Sequence, residues 1–506
     1  MFGLMANVHA AGVAKHVVVV VWDGMRPDFI STNHTPVLAQ LAHDGVFFVN
    51  HHSVYCTATE VNATALATGA YPAHSGIIAN NDFLPTIRPL QSVVTTTPGV
   101  VARGDKLTGG NFLQCPTLAE TLQSAGQTTA IAGSKTVTLL HDRRARVGLT
   151  NGVVFKGNTR SAALQEIFFN QLDEFPEANG SDANKARDEW TRRTLTDILW
   201  TNGVPAFSLL WLSEPDHSQH AAGPGSERAL KALESSDEQL GAVLKELEKR
   251  KLRDQADVFV VSDHGFSTTD KSVDVAKILR EAGFNAQRKF KTPPQNGDIM
   301  VVGQGGTVLF FVIGHEAEVT RRLVQCLQQQ EFSGVIFAAE PLAGVFPLAA
   351  ANIDRAQNSP DVVLSLRWSD AKSKTGARGM FWLDSDHKPA IGSHASLSRF
   401  DLHNTLVAAG PDLKVGLVSE IASGNVDLAP TILALLGVKQ LQPMDGRVLS
   451  EALTVAELKV IPFVPQSNRL EAAATNGAVI WRQYLQTTKV GQTVYLDEGN
   501  GRLAEK

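Results

Sequence analysis

Three short apolar runs in this chain end in charged side chains, and this recurring arrangement constrains the fold more than any other feature. The valines of 17–21 lead to Asp23, Phe207–Leu212 lead to Asp216, and Val258–Val261 lead to Asp263 and His264. Short apolar runs bounded by turn residues are typical of strands buried on both faces of a parallel sheet. We therefore predict such a sheet, with polar side chains at the strand ends where open α/β sheets bind ligands.

Helical patterns separate these apolar runs. The longest, Ser226–Lys251, has alanine, leucine and valine near helical period and leads directly into the strand that starts near Asp257. Alternation of strand and helix indicates parallel strands joined by crossover helices. The sequence thus predicts an α/β protein with a large, mostly parallel sheet sandwiched by helices.

The remaining segments predict a division of the chain into four parts. Residues 15–266 and 391–455 form the two parts of the α/β core, 267–390 are an inserted α+β cap subdomain, and 456–506 are a C-terminal tail. The tail is predicted to contain a hairpin in which Ile480–Leu485 pairs with Gln492–Leu496 around a turn at Val490-Gly491. It has no cluster of potential ligands, so we assign it to packing.

Composition excludes several classes of protein. The chain has 506 residues, 43% hydrophobic and 19% charged, which is typical of a soluble globular protein. A net charge of −5 and the lack of a Lys/Arg-rich run argue against a nucleic-acid polymer as partner. No apolar run reaches the roughly 18 residues that a membrane span needs.

The three cysteines and the amino end bear on the cellular compartment. Cys56, Cys115 and Cys326 are far apart and form no readable disulfide framework or zinc motif. Residues 1–16 have an apolar start and small residues around His9, but they lack the basic region of a signal peptide. The amino end is therefore compatible with two locations: export of a protein whose signal sequence is incomplete here, or the cytoplasm.

The segment 56–76 contains a candidate nucleophile. Its pattern predicts a helix that starts at or near Thr59 and ends at Gly69. Helix starts attract anions, so the Thr59 hydroxyl would lie beside a bound phosphoryl group and the Asn62 amide could contact the same group. The alternative is that Thr59 is simply an N-cap, a role that is compatible with catalysis.

Further candidates follow other predicted strands. Lys135 comes after the strand 128–132 and is either a substrate contact or a surface lysine. Asp216 and His220 are four residues apart and would share a helix face, as two ligands of one metal do. Asp23 and Asp263 also have structural alternatives, as a turn aspartate and a helix N-cap.

Together these positions predict a metal centre at one edge of the sheet. Its members are Asp23, Thr59, Asp216, His220, Asp263, His264 and His394. Three nitrogen or oxygen ligands with an open position are typical of catalytic zinc. Two such ions about 4 Å apart can support phosphoryl transfer, and coordination would activate the Thr59 hydroxyl as a nucleophile.

The motifs that carry these residues resemble the alkaline phosphatase superfamily, and within it the nucleotide pyrophosphatase/phosphodiesterase branch. They are WDGMRPD, TEVN with ATGAYPAHSGI, EPDHSQHAAGP, SDHGF, GSHASLSRFDLHNT and NVDLAPTILALLG, in the order of the family and over roughly 15–446. The resemblance implies an alkaline phosphatase-like core and a periplasmic or secreted location. It also implies two divalent metal ions, with zinc the best fit to the ligands and manganese the alternative.

The resemblance further implies a role for each site residue. One zinc would be held by Asp216, His220 and His394, and the second by Asp23, Asp263 and His264. Thr59 would attack phosphorus in line and form a phospho-threonine intermediate that water hydrolyses. Asn62 and the Thr59 backbone N–H would stabilise the equatorial oxygens, and Lys135 would contact the substrate.

Two departures from the family pattern affect the expected substrate. Glu60-Val61 stand where the branch usually has Phe-Pro, and the extra carboxylate would disfavour dianionic substrates. No aromatic slot for a nucleoside is evident. The residues around Cys56 lack the Pro and Arg of the sulfatase motif, which argues against a sulfatase and leaves this cysteine without a role.

The sequence therefore predicts an enzyme that cleaves phosphodiester or pyrophosphate bonds in a small phosphorylated substrate. A phosphomonoesterase or a phosphonoacetate-type hydrolase is the alternative, because Lys135, Arg143 or Arg144 could meet the extra charge of such substrates. A non-catalytic metal-bound protein is the alternative of a different class. The sequence does not predict an oligomeric state.

Overall fold

The computed structural model describes residues 12–145, 147–177, 183–455, 464–477 and 479–505. The amino end up to residue 11, which carries most of the signal-peptide resemblance, lies outside the described residues. So do 456–463, the first part of the predicted tail. Within the described ranges, no helix combines the length and the apolar character that crossing a bilayer requires.

A nine-stranded sheet forms the centre of the described fold. Its strands, in spatial order, are Leu417–Ser419, Val46–Phe48, Leu406–Ala409, Ala256–Val261, His16–Trp22, Phe207–Leu212, Thr129–Gly133, Val153–Phe155 and Asn158–Thr159. The five strands from Ala256–Val261 to Val153–Phe155 run parallel to one another. The predicted mostly parallel sheet is thus confirmed, although Leu406–Ala409 joins it antiparallel to both neighbours.

The central strand His16–Trp22 is buried on both faces of the sheet. Val17, Val19 and Val21 belong to one hydrophobic cluster, whereas Val18 and Val20 belong to a second cluster on the opposite face. Successive side chains of a strand point to opposite faces, so an uninterrupted run of β-branched residues fits a strand that is covered on both sides. This is the physical reason for the valine run.

Helices cover both faces of the sheet. The α-helices are Pro36–Asp44, Thr59–Thr68, Pro72–Ser75, Pro98–Thr108, Leu118–Ser124, Ala162–Gln171, Ala183–Arg193, Asp216–Ala222, Glu227–Lys249, Val275–Glu281, Ala317–Leu327, Arg399–Leu402 and Leu428–Leu435. A π-helical turn, Thr194–Leu199, continues Ala183–Arg193. Short 3₁₀ turns occur at Pro27–Phe29, Thr136–Leu140, Arg253–Gln255, Ile313–His315, Leu348–Ala351, Asn425–Asp427 and Ser450–Ala452.

The segment after His264 builds two further sheets. A six-stranded sheet contains, in spatial order, Ala286–Gln287, Ile299–Gly303, Thr307–Val312, Val362–Leu366, Ser333–Ala338 and Phe346–Pro347. A four-stranded sheet contains Trp368–Lys372, Arg378–Asp384, Ser267–Val273 and Gly392–Ser393. The second sheet carries the chain back towards His394, and two small pairings join His51–His52 to Ser423–Gly424 and Asn81–Asp82 to Val93–Val94.

The C-terminal strands differ from the prediction in length and register. Three antiparallel strands, Gln466–Asn476, Val479–Val490 and Thr493–Glu505, form one sheet. The predicted hairpin turn around Gly491 is present, but Ile480 pairs with Ala504 instead of a residue of 492–496. The turn joins strands that are longer than the apolar pattern indicates, so each pairing extends further from it.

The C-terminal sheet packs against the rest of the molecule through polar contacts as well as apolar ones. The amide of Gln483 accepts a hydrogen bond from the Ile336 N–H at 2.8 Å and donates one to the Ile336 carbonyl at 3.0 Å. A buried tryptophan, Trp481, donates to the Gly344 carbonyl at 3.1 Å. These contacts fix the sheet on the six-stranded sheet.

Candidate active site

Three neighbouring parallel strands deliver polar side chains to the same edge of the central sheet. Asp23 follows His16–Trp22, Asp263 and His264 follow Ala256–Val261, and Asp216 starts the helix after Phe207–Leu212. The Asp216 N–H donates to the Asp23 carbonyl at 2.9 Å, which ties two of these strand ends together. The carboxyl ends of parallel strands meet at one edge, so residues distant in sequence converge there.

The first cluster, which we call the Asp23 group, consists of Asp23, Asp263 and His264. All three residues are fully buried. His264 Nε2 lies 3.3 Å from an oxygen of Asp263 and 3.8 Å from an oxygen of Asp23. The other Asp263 oxygen accepts hydrogen bonds from the N–H groups of Gly24 and His264, each at 3.0 Å, which fixes the orientation of the carboxylate.

The second cluster, which we call the Asp216 group, consists of Asp216, His220 and His394. Asp216 Oδ1 lies 3.2 Å from His220 Nε2 and 3.7 Å from His394 Nε2. In each group, one potential ligand atom per residue lies within 4.8 Å of the others. The rings of His264 and His394 stack with centroids 3.7 Å apart, which places the two groups side by side.

The histidines of both groups share one orientation. The Nδ1 atoms of His220, His264 and His394 each face a backbone carbonyl, at 3.0, 2.8 and 2.8 Å respectively. A carbonyl can only accept, so in the neutral ring Nδ1 carries the proton and Nε2 presents its lone pair to the centre of the group. Metal-ligating histidines characteristically hold their second ring nitrogen in this way.

The carboxylates supply the strongest indication that these groups suit a cation. Asp23 Oδ1, Asp216 Oδ1 and Asp263 Oδ2 are buried and have no hydrogen-bond partner among the described residues. Burial raises the pKa of Asp23 well above its usual value, and it raises the pKa of Asp263 to about 7. Burying an unpaired carboxylate is costly, and a divalent cation would remove that cost. The residues present therefore fit two metal ions.

Lys135 connects the two groups. Its ammonium lies 2.8 Å from Asp23 Oδ2 and 2.7 Å from Asp216 Oδ2. Burial acts to raise the pKa of Asp216, but Lys135 and His220 outweigh it and hold the pKa well below its usual value. The positive charge of Lys135 is thus already opposed by two carboxylates, and its contact with a substrate stays a prediction.

Thr59 lies beside the Asp23 group. It is the first residue of the helix Thr59–Thr68, and its hydroxyl is 3.2 Å from His264 Nε2. Ala58 occupies the N-cap position, and no side chain caps this helix start. The N-cap alternative for Thr59 is therefore wrong, and the hydroxyl instead faces the candidate metal ligands.

The structure does not place Asn62 where the sequence predicts it. Its side chain is fully buried, and its amide nitrogen faces the carbonyls of Val54, Cys56 and Ala58. Its oxygen accepts from the Val54 N–H at 2.7 Å. Residues 54–58, which precede the helix, have no strand partner for these backbone groups. The Asn62 side chain forms hydrogen bonds with them instead and does not face a substrate.

A different asparagine, Asn80, lies at the pocket. It lines the pocket beside Thr59, and its side-chain oxygen accepts the Glu60 N–H at 2.9 Å. This contact occupies the amide oxygen, and the NH₂ group is the end of the side chain that can donate. No local pattern marks Asn80 as a site residue, because it follows a loop and meets Thr59 only through the tertiary fold.

Trp211 is a second contact that the sequence did not reveal. It is fully buried in the strand Phe207–Leu212, and its indole N–H donates to Asp23 Oδ2 at 2.8 Å. In the sequence it is indistinguishable from a core aromatic residue. The contact orients the Asp23 carboxylate and places its free oxygen towards the group.

A pocket opens over these residues. Its volume is about 320 Å³. Its lining includes Thr59, Glu60, Lys135, Asp216, His220 and His394 together with Asn80, Lys156 and Arg187. Glu60 Oε1 accepts from the Thr96 hydroxyl, whereas Oε2 is buried and has no hydrogen-bond partner within the described ranges. Burial raises the pKa of Glu60.

Comparison with known families gives one extended match. The model of the type I phosphodiesterase/nucleotide pyrophosphatase family matches residues 17–369. Ectonucleotide pyrophosphatase/phosphodiesterase family member 3 of Mus musculus is 24% identical over 267 residues, which are 50% of this chain and 25% of that protein. Venom phosphodiesterase 2 of Crotalus adamanteus is 25% identical over 252 residues, or 49% of this chain and 26% of that protein. The chain thus spans about a quarter of the length of these relatives.

Solved structures share the fold. Murine and human ectonucleotide pyrophosphatase/phosphodiesterase 5 each superpose with a TM-score of 0.61 at 18% sequence identity. The superposition covers 87% of this chain and 100% of each of those chains. The alkaline phosphatase-like fold implied by the sequence motifs is confirmed by this likeness.

Proposed function

This chain belongs to the type I phosphodiesterase/nucleotide pyrophosphatase family, and we propose that it hydrolyses phosphodiester or pyrophosphate bonds with two metal ions and a threonine nucleophile. The family comprises metal-dependent phosphoric ester hydrolases. The single observation that carries the proposal is the pair of buried ligand groups, each with an unpaired carboxylate oxygen, beside the Thr59 hydroxyl.

The Asp23 group and the Asp216 group would each hold one divalent ion. Six ligands with three imidazoles and three carboxylates suit zinc best, and manganese is the alternative. Bound there, the ions would supply positive charge to the phosphoryl oxygens and lower the pKa of a nearby hydroxyl. The ion pair with Lys135 limits the negative charge that two carboxylates would otherwise bring to the pocket.

Thr59 would be the nucleophile. Its oxygen would bond to phosphorus while the bond to the leaving oxygen breaks, and water would then cleave the phospho-threonine and restore the hydroxyl. The proton of the hydroxyl leaves as the bond forms, and a proton is taken up by the leaving oxygen. The position of Thr59 at a helix start, beside His264, supports this assignment.

Asn80 and the helix start would hold the phosphoryl oxygens. The first N–H groups of a helix have no intrahelical acceptors and favour an anion. The Asn80 amide, oriented by the Glu60 N–H, adds a donor on the same side of the pocket. This assignment replaces the role predicted for Asn62.

Glu60 and Lys135 favour a diester over a monoester. Glu60 places a carboxyl group in the pocket next to Thr59, and Lys135 already pairs with Asp23 and Asp216. A diester carries one negative charge at the phosphoryl group, whereas a monoester carries nearly two at neutral pH. Because Lys135 is already paired, it offers little uncompensated positive charge for the second negative charge of a monoester.

A direct comparison of two substrates tests the proposed function. Bis-p-nitrophenyl phosphate should be hydrolysed with a kcat/KM at least about tenfold above that for p-nitrophenyl phosphate, at the same pH and metal concentration. A higher value for the monoester would overturn the proposed preference. Turnover of neither substrate by the metal-loaded protein would contradict the hydrolase assignment.

The natural substrate would be a small phosphorylated molecule. Murine ectonucleotide pyrophosphatase/phosphodiesterase 5 was solved as an inactive variant, with a threonine replaced by alanine, in complex with AMP. The pocket lining described here contains no Phe, Tyr or Trp, so we propose no stacking site for a base. Phosphomonoester hydrolysis is the second candidate, favoured by Lys156 and Arg187 at the pocket.

Trp211→Phe is expected to weaken metal binding by the Asp23 group by about 10- to 100-fold, because it removes the N–H that orients Asp23. Trp22→Phe is the matched control, since Trp22 is also fully buried but its N–H has no described partner. Both changes remove the same volume. Metal affinity measured by chelator competition should fall only for Trp211→Phe, and an equal fall in both variants would contradict the role of this hydrogen bond.

A further inference from the structure

A third cluster of potential ligands lies outside the catalytic pocket, and it includes a residue of the C-terminal tail. His52, His403 and Asp497 each bring one potential ligand atom within 4.8 Å of the other two. None of them lines the pocket over Thr59. The tail has no cluster of potential ligands of its own, and its single member Asp497 meets the two histidines only after the C-terminal sheet has packed on the core.

His52 has the same orientation as the histidines of the two catalytic groups. Its Nδ1 faces the Ser423 carbonyl at 2.9 Å, so Nδ1 donates and Nε2 points to the cluster. Nε2 lies 3.0 Å from Asp497 Oδ1. The lone pair of a neutral ring and a carboxylate oxygen repel each other at this distance, so either a proton or a metal ion must be shared between them.

Asp497 is held by a contact of its second oxygen. Its Oδ2 accepts a hydrogen bond from the Thr488 hydroxyl at 2.9 Å, which leaves Oδ1 directed at His52. The Asp497 side chain is 16% exposed, whereas the His52 side chain is 1% exposed. The cluster is thus nearly buried but retains a route by which water or an ion can reach the carboxylate.

His403 distinguishes a metal ion from a shared proton. Its ring centroid lies 4.4 Å from that of His52, and its ring bonds to the backbone of Asp497. One nitrogen of the His403 ring lies within 4.8 Å of the potential ligand atoms of His52 and Asp497. An ion pair between His52 and Asp497 does not need a second imidazole, but a second imidazole completes a set of three ligands.

The positive charge of nearby Arg399 is offset by a neighbouring carboxylate. Its guanidinium is paired with Glu498 at 2.7 Å. Two imidazoles and one carboxylate, with a coordination position left for water, are a ligand set that Zn²⁺ accepts. His52 Nδ1 and Asp497 Oδ2 also have the outer hydrogen bonds that metal ligands characteristically possess.

We propose that His52, His403 and Asp497 form a third metal site, selective for a zinc-like divalent cation, which fastens the C-terminal sheet to the catalytic core. Asp497 lies on Thr493–Glu505, His52 on His51–His52 and His403 directly after Arg399–Leu402. An ion held by all three joins segments that are far apart in sequence. Because such an ion binds only the folded arrangement, it stabilises the packing of the C-terminal sheet.

Metal content of the full-length protein tests the proposal. His403→Gln should bind one equivalent of Zn²⁺ fewer than the wild type while kcat stays within about twofold, since His403 is absent from the pocket. His74→Gln is the matched control, because His74 pairs with Asp445 at 2.8 Å on the surface and has no third ligand in the described structure. It should bind the same number of equivalents as the wild type.

A second measurement follows the C-terminal sheet itself. Hydrogen exchange at Thr493–Glu505 should become at least about tenfold faster when the wild type is treated with chelator, and restored Zn²⁺ should reverse the change. In His403→Gln the chelator should have little further effect on this strand. The conservative variant Asp497→Asn should lose the same equivalent of Zn²⁺.

Two results would overturn the third site. The first is an equal number of Zn²⁺ equivalents in the wild type, His403→Gln and Asp497→Asn, which would identify His52 and Asp497 as an ion pair. The second is exchange at Thr493–Glu505 that does not depend on Zn²⁺ in the wild type, a result that needs no variant to fold. Both outcomes are independent of whether the Asp23 and Asp216 groups support catalysis.

Discussion

Thr59→Ala should lower kcat for bis-p-nitrophenyl phosphate by at least about 10³-fold, because it removes the proposed nucleophile and leaves only binding and charge stabilisation. The loss should not arise from unfolding. Ala58 is the N-cap, and the only hydrogen-bond partner described for the Thr59 hydroxyl is His264. The free energy of unfolding should therefore change by no more than about 1 kcal/mol.

Thr59→Ser is the matched control for this prediction. It retains the hydroxyl at a position that is 5% exposed and removes one methyl group. It should keep measurable turnover and form a phosphorylated residue at position 59 when the reaction is quenched with acid. Undiminished turnover in Thr59→Ala would contradict a covalent mechanism, and the metal-bound groups would then have to act on water directly.

Removal of metal is expected to abolish turnover and to destabilise the fold. An ion that binds only the folded chain adds about 4 kcal/mol to the free energy of unfolding when its free concentration is 1,000 times its Kd. Removal of two such ions should therefore lower the free energy of unfolding by a large amount. Without them, the unpaired oxygens of Asp23, Asp216 and Asp263 stay buried. Denaturant unfolding with and without chelator, followed by zinc or manganese addition, measures the loss and its reversal.

The chelated protein should also show a distinctive dependence on pH. Burial raises the folded-state pKa of Asp263 to about 7, whereas the pKa of an aspartate in an unfolded chain is about 4. The stability that this group contributes is complete below the unfolded pKa and is lost as pH rises towards 7. The metal-loaded protein should behave oppositely, because protons compete with the ions for their ligands.

Asp263→Asn provides the control for the pH dependence. In the chelated state, this variant should unfold at a denaturant midpoint that changes less between pH 5 and pH 7 than that of the wild type. In the presence of zinc it should bind metal more weakly. A chelated wild type that becomes more stable as pH rises over this range would contradict the assignment of Asp263 as a buried, unpaired acid.

Local sequence pattern predicted the elements in which a few neighbouring residues decide the structure. The run Phe207–Leu212 is a strand with the predicted bounds, and the helix predicted from Ser226 to Lys251 spans Glu227–Lys249. The order of Asp23, Asp216 and Asp263 after three such strands placed them at one sheet edge. The carboxyl ends of parallel strands lie at the same edge of the sheet whatever the register of the strands. The predicted position of these aspartates therefore did not depend on the contacts of individual side chains.

The contacts of individual polar side chains were less predictable. Asn62 lies one helical turn after Thr59, yet the backbone of the segment before the helix occupies its amide. Asn80 and Trp211 reach the site through hydrogen bonds to residues about 20 and 190 positions away, the latter being Asp23. Their partners are decided by packing, and hydrophobic periodicity contains no information about them.

The sequence by itself determined the α/β core and the six ligand candidates, because strand burial and strand-end position follow from local apolar pattern. The family resemblance implied their division into two groups. Only the tertiary structure decided that Lys135 joins the two groups, that Asn80 and not Asn62 faces the pocket, and that Asp497 meets His52 and His403. Each of these depends on atoms brought within about 3 Å by the packing of distant segments. Local propensities do not specify contacts at that precision.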